Sequence, residues 1–69
     1  MERKEFFLVN LKEARIKAKK TQKEIAKFLE MGERHYQYIE YGTVEPTLKK
    51  VCLIADYLGV SIDYLVGRE

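Results

Sequence analysis

Residues 21–41 read TQKEIAKFLEMGERHYQYIEY, a segment that predicts two short helices joined by a tight turn. Thr21 and Glu24 have the spacing of a capping box, in which the side chain of each residue accepts a hydrogen bond from the backbone amide of the other, so a helix begins directly after Thr21. The inward-facing residues of this helix are Ile25, Ala26 and Leu29. Residues 30–32, Glu-Met-Gly, then interrupt the helix, and their glycine is a suitable N-cap for a second helix over residues 33–41. Two short helices joined in this way are the outline of a helix-turn-helix motif.

Three more helices are predicted around this pair. Apolar residues at steps of three and four predict a helix over residues 7–19. The same spacing predicts a helix over residues 48–58 and a short one over residues 62–66. The apolar face of the longer of these two is formed by Leu48, Val51, Cys52, Ile54, Ala55 and Leu58. Suitable cap residues are Gly42, Thr47, Gly59 and Ser61. The expected fold is all-α, a compact five-helix bundle that forms a single domain over residues 1–69, with its core within residues 7–67.

Length and composition exclude several classes of protein. A chain of 69 residues is the size of one small domain, and no apolar run approaches the roughly 20 residues that cross a bilayer. The single Cys52 cannot form an internal disulfide, and no secretory signal opens the sequence, so a cytoplasmic protein is expected. No Cys and His cluster, no paired carboxylates and no phosphate loop are recognisable. The sequence predicts a protein that is not an enzyme and has no metal, cofactor, small-molecule ligand or membrane partner.

Charge is distributed unevenly along the chain. The formal net charge is only +2, but residues 11–27 carry seven Lys and Arg against two Glu. From residue 40 onward the balance reverses, with three cations against five carboxylates. One end of the molecule is therefore expected to attract polyanions such as nucleic acid.

Several blocks of residues, in order, resemble the XRE family of helix-turn-helix proteins, which includes the phage Cro and lambda-type repressors. The matching blocks are TQxEIAxxL at residues 21–29, IExG at 39–42, PTL at 46–48 and IAxxLGVSIDxL at 54–65. The resemblance covers about residues 11–67, nearly the whole chain. It implies a lambda-repressor-like bundle that binds double-stranded DNA with its third helix in the major groove. It also implies a transcriptional regulator, usually a repressor.

The third helix carries the predicted DNA-reading residues. A rotation of 100° per residue places Glu33, Arg34, Gln37, Tyr38 and Tyr41 in one arc, and His35, Tyr36 and Ile39 on the opposite side. Arg34 is suited to guanine, Gln37 to adenine and Glu33 to the amino group of cytosine. His35 is expected at the edge of the core or near a phosphate. The complete predicted DNA-binding set is Lys20, Gln22, Lys23, Glu33, Arg34, His35, Gln37, Tyr38 and Tyr41.

The resemblance assigns roles to three residues and marks three departures. It implies that Gln22 contacts a phosphate and supports base reading, and that Arg15 and Glu40 form a structural ion pair. The departures are Glu30 at a position that is usually glycine, Tyr36 at one that is usually aliphatic, and Lys20 at one that is commonly apolar.

The apolar residues near the C-terminus exceed the needs of a small core and predict a homodimer. The predicted interface residues are Val60, Ile62, Tyr64, Leu65 and Val66. Two-fold pairing would place two third helices about 34 Å apart and imply a palindromic operator. The alternative is a helix-turn-helix protein-interaction module, such as an anti-repressor or antitoxin subunit, that uses Tyr38 and Tyr41 against a protein. Steep salt dependence would distinguish DNA binding from this alternative.

Overall fold

Five helices make up the computed structural model, which describes residues 2–68. In chain order they are α1 (Arg3–Lys17), α2 (Gln22–Phe28), α3 (Glu33–Tyr41), α4 (Leu48–Leu58) and α5 (Ile62–Leu65). No strand occurs among the described residues. The predicted all-α, five-helix bundle is confirmed, and the bounds of α3 and α4 are those predicted. None of the helices within residues 2–68 has the length and apolar character needed to span a membrane.

The first helix differs most from its prediction, because it begins at Arg3 and ends at Lys17 rather than covering residues 7–19. At its start, the Arg3 guanidinium donates to the carbonyl oxygens of Val66 and Gly67, at 3.0 and 3.1 Å, so a contact with the end of the bundle holds the extra turn. At its end, Lys19 has a left-handed φ of 59°. Helical hydrogen bonding cannot continue through such a residue, so the helix stops before it.

The other helix ends follow the predicted caps. The capping box of α2 is present: the Glu24 amide donates to Thr21 Oγ1 at 3.0 Å, and the Thr21 amide donates to Glu24 Oε1 at 2.8 Å. The side chains of Thr47 and Ser61 cap α4 and α5. The last helix ends at Leu65, one residue earlier than predicted.

The turn between α2 and α3 has a strained residue in place of a glycine. Leu29 is the C-cap of α2, and Glu30 follows it with a left-handed φ of 56°. The amides of Glu30 and Met31 donate to the carbonyl oxygens of Lys27 and Ala26, each at 3.0 Å. A residue with a Cβ atom pays on the order of 1 kcal/mol for this conformation. The backbone thus keeps the turn geometry that glycine would favour.

The core is a single cluster to which all five helices contribute. Its buried residues are Phe7, Leu11, Ala14, Ile25, Ala26, Leu29, Tyr36, Ile39, Ile54, Ala55, Leu58 and Leu65. Leu48 is 75% exposed, so its predicted place in the apolar face of α4 is wrong. It directly follows the N-cap of α4, and the core closes about two turns later, around Ile54 and Ala55, with Val51 packed against them.

Leu65 also differs from its prediction as an interface residue. Its side chain is fully buried within the single chain, at 0% exposure. The contact of α5 with α1 and α4 encloses it, so it offers no surface to a second copy. The remaining predicted interface residues are half-buried, except Ile62, which is 38% exposed.

Candidate nucleic-acid interface

A carboxylate at the end of α3 joins three helices. Glu40 accepts from Arg15 of α1, with Arg15 Nε 2.6 Å from Glu40 Oε2 and Nη2 3.3 Å from Oε1. It also accepts from Gln22 Nε2 of α2 at 3.2 Å and from the Tyr36 hydroxyl at 2.7 Å. The side chains of Arg15 and Glu40 are only 11% and 4% exposed. The ion pair expected from the resemblance is therefore present, as part of a larger hydrogen-bonded network.

Tyr36 fits its unusual position because Glu40 satisfies its hydroxyl group. The ring is fully buried, where an unpaired hydroxyl would be costly. Burial raises the pKa of Tyr36, and the hydrogen bond to Glu40 raises it further. The phenol therefore stays protonated and acts as the donor. An aliphatic residue at this position would have no group to bond Glu40.

Gln22 connects this network to the exposed face of α3. Its Nε2 donates to Glu40, while its Oε1 accepts from Gln37 Nε2 at 3.1 Å. A primary amide has two N–H groups and one carbonyl oxygen. Gln37 therefore retains one N–H and its carbonyl oxygen, and these are the two groups that pair with the major-groove edge of adenine. This arrangement orients a candidate base-reading side chain before any ligand arrives.

The rest of α3 presents most of the predicted reading residues on its surface. Glu33 and Arg34 are exposed, and Tyr38 and Tyr41 are 39% and 68% exposed. His35 is also exposed, so it does not lie at the edge of the core. Tyr36 and Ile39 are buried beneath this face, as the helical rotation predicted. The helix thus anchors one side in the core and leaves the other available.

Lys20 and Lys23 lie in different surroundings. Lys23 is exposed on α2. The Lys20 ammonium instead lies over the ring of Tyr57 in α4, 5.3 Å from its centroid. Tyr57 stacks on Phe28, with 4.3 Å between centroids and 25° between planes. Lys20 is therefore drawn toward α4. Sequence reasoning missed this aromatic pair, for which the only signal was a lysine at a commonly apolar position.

The Glu40 network predicts a dependence of stability on pH. Burial alone raises the pKa of Glu40, but hydrogen bonds from Arg15, Tyr36 and Gln22 outweigh burial and hold the pKa below its ordinary value of 4.5. The unfolded chain therefore binds the proton first as pH falls. We expect the stabilising contribution of Glu40 to be complete above about pH 4.5. The free energy of unfolding should then decrease as the pH falls toward the lower pKa of Glu40 in the native state.

Denaturation at a series of pH values from 7 to 3 checks this expectation. The Glu40→Gln variant should lose less stability over the acid range than the wild type, because it has no carboxyl at this position. Glu24, whose pKa is lowered by its hydrogen bond from the Thr21 amide, contributes equally to both proteins. Parallel curves for the two proteins would show that Glu40 does not titrate in this way.

These features together define a class of protein. A short helix pair is locked to α1 through Glu40, and the exposed side of its second helix carries Arg34, Gln37 and neighbouring polar residues. This is the construction of a helix-turn-helix domain of the DNA-binding type. A family model described as helix-turn-helix matches residues 11–65. The chain belongs to this family, the Cro/C1-type or XRE family of DNA-binding regulators. Neither the search of curated proteins nor that of solved structures found a match.

Proposed function

We propose that this protein binds a specific palindromic DNA operator as a homodimer and represses transcription from it. The observation that carries the proposal is the hydrogen-bonded series from Arg15 through Glu40 and Gln22 to Gln37. It holds a side chain with one free donor and one free acceptor on the exposed side of α3. Preorganised groups of this kind lose little conformational entropy on binding.

Base reading is assigned to the exposed residues of α3. Arg34 pairs with the O6 and N7 atoms of guanine, and Gln37 pairs with N6 and N7 of adenine. Glu33 accepts from the amino group of cytosine. Tyr38 and Tyr41, whose side chains are already exposed, contact thymine methyl groups with their rings or donate to phosphate oxygens with their hydroxyl groups.

Phosphate contacts determine the register of the domain on the duplex. Gln22 keeps one N–H free after donating to Glu40, and that group is available to a phosphate oxygen. Lys23 is exposed beside it, and the surplus of cations in residues 11–27 supplies a favourable field. These contacts account for affinity, whereas the α3 contacts account for selectivity.

Dimerisation is assigned to the surface beside α5. A shallow groove lined by Lys17, Ala18, Val60 and Tyr64, among others, runs between the end of α1 and α5. Ile62, which is 38% exposed, is a further apolar residue of α5 assigned to this interface, and Val66 lines a separate groove with Arg3 and Phe7. A palindromic operator requires pairing that sets the two copies of α3 about one turn of DNA apart, and repression would follow from occupancy of the operator.

A second candidate function, that of a protein-interaction module, is favoured by one observation. Tyr41 and Leu48 are 68% and 75% exposed, and Tyr38 is 39% exposed. Exposed aromatic and aliphatic side chains such as these are common in protein interfaces. Such a contact would respond weakly to salt, unlike binding to DNA.

Selection of bound duplexes from a random DNA pool at fixed, moderate salt tests the proposal. We expect a palindromic motif with half-sites about 10 base pairs apart, and binding that weakens steeply between 50 and 200 mM salt. Gln37→Ala should blur the motif at one position in each half-site, whereas Gln22→Ala should weaken binding to all sequences. Retention of DNA without an enriched motif would refute operator reading and favour the protein-interaction module.

A further inference from the structure

A lysine of α4 reaches the turn between the two helices of the motif. Lys50 Nζ donates to the carbonyl oxygen of Leu29 at 2.6 Å, a contact between residues 21 positions apart. Lys50 lies in the first turn of α4, and its side chain is half-buried. Leu29 is the C-cap of α2. This hydrogen bond therefore ties α4 directly to the start of the turn.

The turn has a physical need for such a contact. Glu30 adopts a left-handed conformation that a residue with a Cβ atom disfavours. Inside the turn, the amides of Glu30 and Met31 bond the carbonyl oxygens of Lys27 and Ala26. The Leu29 carbonyl lies at the negative end of α2, where a cation is favourable both by charge and as a donor. Lys50 thus stabilises the turn from outside the motif.

The position of α3 depends on this turn. Gly32 is the N-cap of α3 and supplies no side-chain cap. The start of the helix is therefore held by the backbone that leads into it, together with the buried Tyr36 on the opposite side of the first turn. Arg34, the residue assigned to guanine, lies in that first turn. We infer that Lys50 is a positioning residue for DNA recognition, one that fixes residues 29–32 and thereby the approach of Arg34 to its base. This inference rests on the proposed function and deepens it.

The test replaces Lys50 by methionine and uses Lys49→Met as a matched control. Lys49 is the exposed neighbour of Lys50 on α4, so the control removes the same charge without removing the bond to Leu29. Dissociation constants are measured for the selected operator and for an unrelated duplex over a salt series, after circular dichroism has shown each variant to be folded.

We expect Lys50→Met to weaken operator binding about five- to tenfold. This corresponds to part of the free energy of one charge-assisted hydrogen bond. Binding to the unrelated duplex should change no more than in Lys49→Met, and the salt slope should be that of the control. Lys50→Arg, which can still donate to Leu29, should restore most of the affinity. Should Lys50→Met fail to fold, Lys50→Gln removes the charge and the reach while keeping a polar side chain, and it carries the same expectations.

Two results would overturn the inference alone. Operator affinity equal to that of the control, with a lower melting temperature, would leave Lys50 a purely structural role. A salt slope reduced by about 0.9 relative to the control would show a direct phosphate contact. If the wild type itself selects no operator, the proposed function fails as well. Operator selection by the wild type therefore separates a failure of the inference on Lys50 from a failure of the proposed function.

Discussion

Replacement of Glu40 by alanine is expected to lower the free energy of unfolding by up to about 3–5 kcal/mol, the cost of removing one partner from a buried ion pair, because this pair is largely buried. The Arg15 guanidinium, 11% exposed, would lose its counter-charge. The hydroxyl of the fully buried Tyr36 would lose its acceptor at the same time. Urea denaturation of the two proteins at pH 7 measures the difference. For a small domain with a total stability of about 5–15 kcal/mol, this loss leaves the fold marginal.

A triple variant provides the control for this prediction. Arg15→Met, Tyr36→Phe and Glu40→Leu together remove the acceptor and the Arg15 and Tyr36 donors and leave apolar groups in their place, while Gln22, the remaining donor to Glu40, keeps its bond with Gln37. Replacing both sides of a buried polar contact is often close to neutral. The triple variant should therefore be much more stable than Glu40→Ala. A Glu40→Ala protein within about 1 kcal/mol of the wild type would show that the network contributes little.

Replacement of Arg34 by alanine is expected to cost about 1–3 kcal/mol of operator binding, which is roughly 5- to 150-fold in the dissociation constant. The Arg34 side chain is exposed and makes no hydrogen bond to any other residue within 2–68, so its removal should leave the fold intact. The loss should be specific to one base pair in each half-site. Titration of the selected operator and of operators changed at each position, at one salt concentration, measures it.

Arg68→Ala is a matched control, because Arg68 is an exposed arginine after α5, distant in sequence from the reading helix. It should bind the operator as the wild type does. Arg34→Lys should recover charge but not the bidentate pairing with guanine, and therefore only part of the selectivity. An equal loss of affinity for every sequence would assign Arg34 to a phosphate and contradict its role in base reading.

Local patterns predicted the middle of the fold better than its edges. The bounds of α3 and α4 follow from local signals, which are the glycine and threonine caps and the apolar spacing within each helix. The start of α1 was missed because the turn at Arg3 is held by carbonyl groups of Val66 and Gly67, more than sixty residues away. Leu48 and Leu65 were misplaced for a related reason. Helical period gives the direction of a side chain but not whether another element covers it.

The candidate site was predicted in its parts but not in its connections. The resemblance supplied the Arg15 and Glu40 pair and the importance of Gln22. The hydrogen bonds from Tyr36 to Glu40 and from Gln37 to Gln22 required the relative placement of α2 and α3. The contact between Lys50 and Leu29 had no signal at all, since lysine in the first turn of a helix is ordinarily solvated.

The hydrogen bond between Gln37 and Gln22 bears on how this domain could be retargeted to a new DNA sequence. Any substitution at Gln37 that removes its amide would also leave the Gln22 carbonyl oxygen without this donor, so the effects of substitutions at the two sites would not add. The Arg34 side chain makes no comparable hydrogen bond to another residue within 2–68. In an altered-specificity library, Arg34 can therefore be varied alone, whereas Gln37 and Gln22 have to be varied as a pair.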